Sequence, residues 1–424
     1  MKLQKILTRL QKLHPKEIDL SLYRIKKLCN KLGNPQNKIK AIQVLGTNGK
    51  FSTIQALRAI LKENNINCNI YTSPHIQKIN ERFVYDDQEI NDDDLVNLLS
   101  EVENINDGEP ITYFEILTAA FFYGCKKYSK NLTICEFGLF GRFDAVNILN
   151  KNLATIVTAI GLDHTNWLPK NERTIDKIIF EKTSSLLTSK IIVSNQNDKE
   201  ILEKIKKSLI YNKSKKIYFN ETYSYYLGEN DFFYYEDNYG GLKLPLPNIL
   251  GKFQLSNIAT AIATLRNIDE LIISDESIKK GITKIKSIAR LQEIKKGKLK
   301  KLIKKNRLFV DGSHNTLGAK VLVDFLKTLN CDKHIILGMM SNKDHYEYIK
   351  CFNKKISSLT VIDIPNQKNS IKRDVLKSKI KLDGIEIKSK SSIEKAINSI
   401  QLKKDDVILI TGSLYLAGEV LNLN

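Results

Sequence analysis

Between residues 38 and 61 the chain reads KIKAIQVLGTNGKFSTIQALRAIL: a short apolar run with β-branched residues, a break at Gly46 and Gly49, then apolar residues at helical spacing. A strand that turns through glycines directly into a helix opens a strand–helix–strand unit, and such units commit a chain to parallel pairing under covering helices. The alternation continues. Strand-like runs recur at 68–71, 132–137, 154–160 and 191–194, with helical patterns at 92–103, 114–127 and 175–187. The stretch 215–246 is aromatic and short in period and predicts a small antiparallel addition, followed by a helix over 254–266. A second series then begins, with strands at 307–311, 334–337, 359–363 and 406–411 and helices at 317–329 and 392–400. That is enough for a domain of its own. The expected fold class is α/β, with a large sheet domain over 1–292 and a smaller α/β domain over 293–424. The lysine-dominated segment EIKKGKLKKLIKKNR at 293–307 reads as a solvated hairpin or as the connection between the two.

At 424 residues the chain is too long for one ordinary domain. No window reaches the ~18 uninterrupted apolar residues of a spanning helix. The N-terminal MKLQKILTRLQKLHPKEIDL carries charges between its leucines and lacks a signal-peptide core, so a cytoplasmic protein with no membrane association is expected. Lys and Arg number 67 against 47 acids, giving +20, but the excess is spread along the chain without an aromatic-basic stripe, which argues against a nucleic-acid partner. The cysteines, Cys29, Cys68, Cys125, Cys135, Cys331 and Cys351, form no CxxC pair, so reduced thiols are expected rather than a disulfide framework or zinc site.

The loop GTNGK lies where backbone N–H groups and a helix N-terminus can cradle phosphate. It departs from GxxxxGK[ST]: Val44 stands in place of the first glycine and Phe51 separates Lys50 from Ser52. Read alone, it is a nucleotide loop or an ordinary glycine turn. Glu136, in ICEFGLFGRFDAVN, and His164, in IGLDHT, each follow apolar strand-like runs. Ligands collect at the carboxyl ends of parallel strands, and a Lys/Ser pair, a Glu and a His converging there suit Mg²⁺ and phosphate chemistry.

The ordered set GTNGK–ST, YTSPH followed by NER, TYFE, E–GL–GR–DA–N, GLDHT, EK, ARLQ, DG–HN and TGSLYLAGEV resembles the dihydrofolate synthase/folylpolyglutamate synthase branch of the Mur ligase superfamily, from about Ile18 to Val420. The resemblance implies a large Mur-ligase-like P-loop sheet domain binding ATP and a pterin, then a smaller Rossmann-like glutamate-ligase domain. It implies an ATP-dependent amide ligase that activates a pterin-bearing carboxylate as an acyl phosphate, which the amine of L-glutamate attacks. Carried over by motif, Gly49, Lys50, Phe51, Ser52, Asn257, Arg290 and Asp311 hold ATP, and Ser73, Glu136 and His164 hold Mg²⁺. Lys182 matches a lysine that the family carbamylates. With Lys50 and His164 it completes the implied catalytic set. Asp19, Leu20, Ser21, Thr112, Tyr113, Phe114, Glu115, Phe143, Asp144 and Ala145 match the substrate positions for dihydropteroate or a reduced folate. K⁺ and a monomeric state are further implications. His314 and Asn315 stand in the same loop as Asp311.

The chain departs from the family pattern at Phe51 and Phe140, where glycine is usual, at Ser21, and at Thr183 and Ser184. Phenylalanine disfavours a positive φ and crowds a ligand. Two alternatives therefore stand beside the synthase: a Mur-type ligase for another carboxylate, and a non-catalytic nucleotide or folate binder.

Overall fold

The computed structural model describes residues 2–16, 19–186, 188, 190–196, 198–229 and 232–424. The chain forms two compact units, Met1–Asn248 with Leu255–Ile285, and Ile249–Gln254 with Lys286–Asn424.

The first unit is built on eight strands: β1 (Ala41–Leu45), β2 (Cys68–Tyr71), β3 (Phe83–Tyr85), β4 (Gln88–Glu89), β5 (Leu132–Glu136), β6 (Asn152–Val157), β7 (Lys190–Val193) and β8 (Lys215–Tyr218). Their order is β4-β3-β2-β5-β1-β6-β7-β8. Only the β2–β3 and β3–β4 pairings are antiparallel. Every residue of β1 is buried, as expected for a strand covered on both faces, which is why AIQVL shows no polar alternation. From β1 the chain first moves toward β2 and β5, then crosses to β6 on the other side. The carboxyl ends of β5, β1 and β6 therefore flank a topological switch point.

The aromatic stretch divides differently from its sequence pattern. β9 (Tyr223–Leu227), β10 (Phe233–Asp237) and β11 (Gly240–Leu244) make the expected antiparallel sheet. The preceding segment, β8, instead pairs parallel to β7 as the edge of the large sheet. Only Ile217 of β8 is fully buried, so this edge strand has the half-exposed look of an antiparallel one. The helix expected over 175–187 is Ile175–Thr183, and Leu187 lies outside the described residues.

The second unit carries β12 (Gln292–Glu293), β13 (Arg307–Val310), β14 (Lys333–Leu337), β15 (Ser358–Val361), β16 (Ile387–Ser389) and β17 (Val407–Thr411), in the order β12-β13-β17-β14-β15-β16. All pairings are parallel except β12–β13. The lysine-rich segment lies between these two antiparallel strands, with a short helix Lys298–Leu302 inside it, and so forms a hairpin arm of this unit. Among the described residues no helix is long and apolar enough to cross a membrane. All six cysteines are free thiols.

Candidate active site

The glycine loop after β1 is fixed by its neighbour after β6. The Thr47 and Asn48 N–H groups donate to the Ala159 carbonyl at 2.9 and 3.1 Å. Thr47 Oγ1 donates to the Gly161 carbonyl and accepts from its N–H, both at 3.0 Å. Gly49 then enters helix Lys50–Glu63 as its N-cap, at φ 93°. A Cβ there would also lie 2.5 Å from Asn257 Oδ1, so glycine is required by both conformation and space. Asn257, the fifth residue of helix Phe253–Arg266, is thereby seated against the loop as an interior helix residue rather than as a cap.

Lys50 folds back over this loop. Its Nζ donates to the Gly46 and Thr47 carbonyls at 3.2 and 3.3 Å and stands 3.9 Å from Glu136 Oε1. The parallel register sets Glu136 beside Val44, bringing its carboxylate to the mouth of the loop. Glu136 Oε2 accepts the Ser73 backbone N–H at 3.1 Å. Ser73 Oγ is buried and has no hydrogen-bond partner. A buried hydroxyl with an unused lone pair, beside a carboxylate and a lysine, fits a divalent ion that completes its shell with phosphate oxygens. Among the described residues no three His, Cys, Asp or Glu side chains form a metal cage.

Lys182 reaches the same loop from helix Ile175–Thr183. Its Nζ donates to the Gly46 carbonyl at 3.0 Å, and the residue is only 4 % exposed. Burial, reinforced by the Lys50 ammonium, lowers its pKa to about 7, against the opposing pull of Asp163 and Asp144. Arg142, which donates to both Glu181 oxygens at 2.8 and 3.1 Å, clasps the loop after β5 onto the end of this helix. Asp144 serves that loop from within: its carboxylate accepts the Gly138, Leu139 and Val146 N–H groups at 2.8–2.9 Å. Burial nevertheless pushes its carboxyl up to about 6.

His164 stands on the loop after β6 in the left-handed region, φ 58°, with its ring edge-on to Phe140 at 6.3 Å. Phe140 also takes a left-handed conformation, φ 55°, while 3 % exposed. Phenylalanine therefore does occupy the backbone state that the sequence reasoning withheld from it, because burial of the ring outweighs the roughly 1–2 kcal/mol of strain. Phe51, in the first turn of its helix, needs no positive φ at all. On this balance Phe140→Gly should lower stability by roughly 2 kcal/mol, read from chemical denaturation. A gain in stability would mean that the strain dominates.

Of the residues matched to the pterin, Thr112 to Glu115 lie at the start of helix Tyr113–Gly124. Thr112 and Glu115 form a reciprocal capping box. Phe114 packs near Tyr71, with ring centroids 6.1 Å apart. A Cβ on Gly138 would lie 2.8 Å from the Phe114 ring and 3.2 Å from Ser73 Oγ, so Phe114 and the candidate metal position both border Gly138. Phe143 stacks under Arg142 at 4.4 Å, and Ala145 is buried. Asp19 is bound by Arg24, while Leu20 is exposed and Ser21 Oγ accepts the Tyr23 N–H at 3.1 Å. Arg24 escaped sequence reasoning because its partner Glu115 lies 91 residues away, and Asp163 and Glu181, although inside the GLDHT and EK motifs, were given no role of their own.

In the second unit Asp311 directly follows β13. Its oxygens accept the Leu291 and Ser313 N–H groups, both at 2.7 Å, and burial raises its pKa despite nearby Arg290. Arg290 sits between two left-handed residues, Ala289 and Leu291, and donates to the Ala289 carbonyl at 3.2 Å. His314 Nδ1 is 3.2 Å from the Gly312 carbonyl. Asn315 caps helix Thr316–Lys327 by accepting the Gly318 N–H.

The family model for the Mur ligase, glutamate ligase domain, matches residues 289–414. The fold is shared with Escherichia coli FolC in complex with DHPP and ADP, at TM-score 0.86 and 26% identity, covering 99% of this chain and 97% of that one. It is shared equally with the Yersinia pestis bifunctional folylpolyglutamate synthase/dihydrofolate synthase complexed with AMPPNP and Mn ion, at TM-score 0.86, 25% identity and the same coverage. Against the dihydrofolate synthase/folylpolyglutamate synthase of Bacillus subtilis (strain 168) the identity is 30% over 421 residues, 94% of each chain. Agreement of this extent, over nearly the whole length of both chains, means that the chain belongs to the dihydrofolate synthase/folylpolyglutamate synthase family of Mur-type ligases.

Proposed function

We propose that this ATP-dependent ligase joins the amine of L-glutamate to the carboxylate of dihydropteroate, and adds further glutamates to reduced folates, through an acyl phosphate. The observation that carries the reading is the close approach at Gly138, which sets the aromatic ring of Phe114, suited to a flat heterocycle, beside Ser73 and the carboxylate and lysine suited to phosphate chemistry. In this scheme Lys50 neutralises charge on the transferring phosphate, and the first turn of helix Lys50–Glu63, with Ser52, presents donors to the triphosphate. Ser73, Glu136 and His164 would hold Mg²⁺, which when bound offsets the charge shared by triphosphate and acyl phosphate. Lys182, with an amine pKa near 7, is basic enough and neutral enough to add CO₂, losing a proton and becoming an anionic carbamate. Asp144 and Arg142 keep the loop after β5 in place. Asn257, Arg290 and Asp311 are assigned to the nucleotide, and residues 293–424 to the glutamate-ligase step. K⁺ as an activator, a monomeric state and a cytoplasmic location complete the proposal.

The test is ADP release by purified protein with Mg²⁺-ATP and L-glutamate, offered dihydropteroate, tetrahydrofolate or no acceptor, in K⁺ or Na⁺ buffer, with mass spectrometry of the products. Dihydrofolate formed only when dihydropteroate is present is the expected result, and glutamylated tetrahydrofolate establishes the second activity. Tight ATP binding with no turnover on any acceptor would favour the non-catalytic reading.

A further inference from the structure

Glu115 is 4 % exposed and its two oxygens are treated unequally. Oε2 accepts the Thr112 N–H at 2.9 Å, the Thr112 hydroxyl at 2.7 Å and Arg24 Nε at 2.9 Å. Oε1 is buried and accepts nothing. A capping box explains the contacts with Thr112 but neither the guanidinium nor the idle oxygen. An unsatisfied buried carboxylate oxygen costs free energy unless a ligand or ordered water donates to it.

Arg24 supplies the other half of the arrangement. Its Nη1 donates to Asp19 Oδ2 at 2.7 Å and its Nη2 to the Asp19 carbonyl at 2.6 Å, so one guanidinium spans the segment before helix Tyr23–Lys31 and the start of helix Tyr113–Gly124. Burial works against the charge on Asp19, yet Arg24 and Lys16 together hold its carboxyl below the ordinary range, so the bridge is ionic near neutral pH. The side chain of Arg24 is only 16 % exposed, and the planar fork fits three acceptors that a lysine could not satisfy together.

We propose that Arg24 is a positioning residue for the acceptor substrate, fixing Glu115 so that Oε1 stays unpaired as the acceptor for an N–H donor of the bound heterocycle. This rests on the pterin-ligase reading above and adds the residue that sets how selectively the heterocycle is held. A ligand lacking the N–H donor leaves the carboxylate oxygen unpaired, which is how a polar site rejects close analogues.

The experiment is steady-state kinetics of the full chain as wild type, Arg24→Lys, Glu115→Gln and the double variant, with thermal unfolding of each. Arg24→Lys should raise KM for dihydropteroate roughly tenfold, with kcat and KM for ATP within about twofold of wild type. Glu115→Gln places an amide N–H where an acceptor is needed and should raise the same KM at least as far. Because Arg24 acts through Glu115, the double variant should be no worse than Glu115→Gln alone. Additive losses, or a fall in Tm and kcat with KM unchanged, would assign Arg24 a purely structural role and overturn the inference. A wild type that ligates no pterin acceptor would instead remove the parent reading, and this inference with it.

Discussion

Replacement of Lys50 by methionine is expected to cut glutamate-dependent ADP release by about three orders of magnitude while the protein stays folded. The ammonium stands 3.9 Å from Glu136 Oε1, and it also donates to two loop carbonyls, Gly46 and Thr47. In the resting loop these bonds hold the side chain folded back, preorganised at low exposure rather than free to sample solvent. Triphosphate oxygens are stronger acceptors than carbonyls, so exchanging one set for the other lets the lysine follow the charge that develops in phosphoryl transfer. Methionine keeps the length and apolar stem, and the loop retains its bonds to Ala159 and Gly161. The loss should therefore appear in kcat and nucleotide affinity, and circular dichroism and Tm should change little. Retention of more than about a tenth of the wild-type rate would deny Lys50 a role in the transition state.

The sequence carried the architecture well because the parallel strands are continuous apolar runs and the helices between them are periodic. Residues 68–71 appear as β2 without change of boundary, and both alternating series are present. It failed where tertiary pairing overrides pattern: β8 looks antiparallel because an edge strand is half exposed, and β16 has only three residues to signal it. The site divides along the same line. Lys50, Glu136 and His164 could be placed at strand ends from local text alone, and the register of β1 with β5 then explains why Lys50 and Glu136 approach. The low basicity of Lys182 could not be read, since it arises from burial and from Lys50, 132 positions away in sequence. Nor could the bridge from Arg24 to Glu115, 91 residues apart. Phe140 is the instructive miss, because steric rules for an isolated residue gave no weight to the buried ring that holds it at positive φ.

Lys182→Met should abolish ligation and, at the same time, make the protein more stable at pH 6. The two effects have one cause. In the folded chain the amine has a pKa of about 7, against an ordinary value of 10.5. Between these values the unfolded chain holds a proton that the folded chain lacks, so this group adds stability as pH rises, by about 1.4 kcal/mol per pH unit. Below about 7 both states are protonated, and the folded protein bears the full penalty of a buried ammonium. Methionine, similar in length and uncharged, removes that penalty, so the advantage of the variant over wild type in urea unfolding should be largest at pH 6 and shrink steadily toward pH 9. For function, the neutral amine is the form that adds CO₂. Wild-type activity should accordingly fall in CO₂-depleted buffer near neutral pH and return with bicarbonate, whereas Lys182→Met should stay inactive under both conditions. A stability difference that is flat from pH 6 to 9 would mean that Lys182 remains an ammonium throughout. An amine that is never neutral cannot form the carbamate, and the anionic role assigned to Lys182 would then fall even if ligation itself were observed.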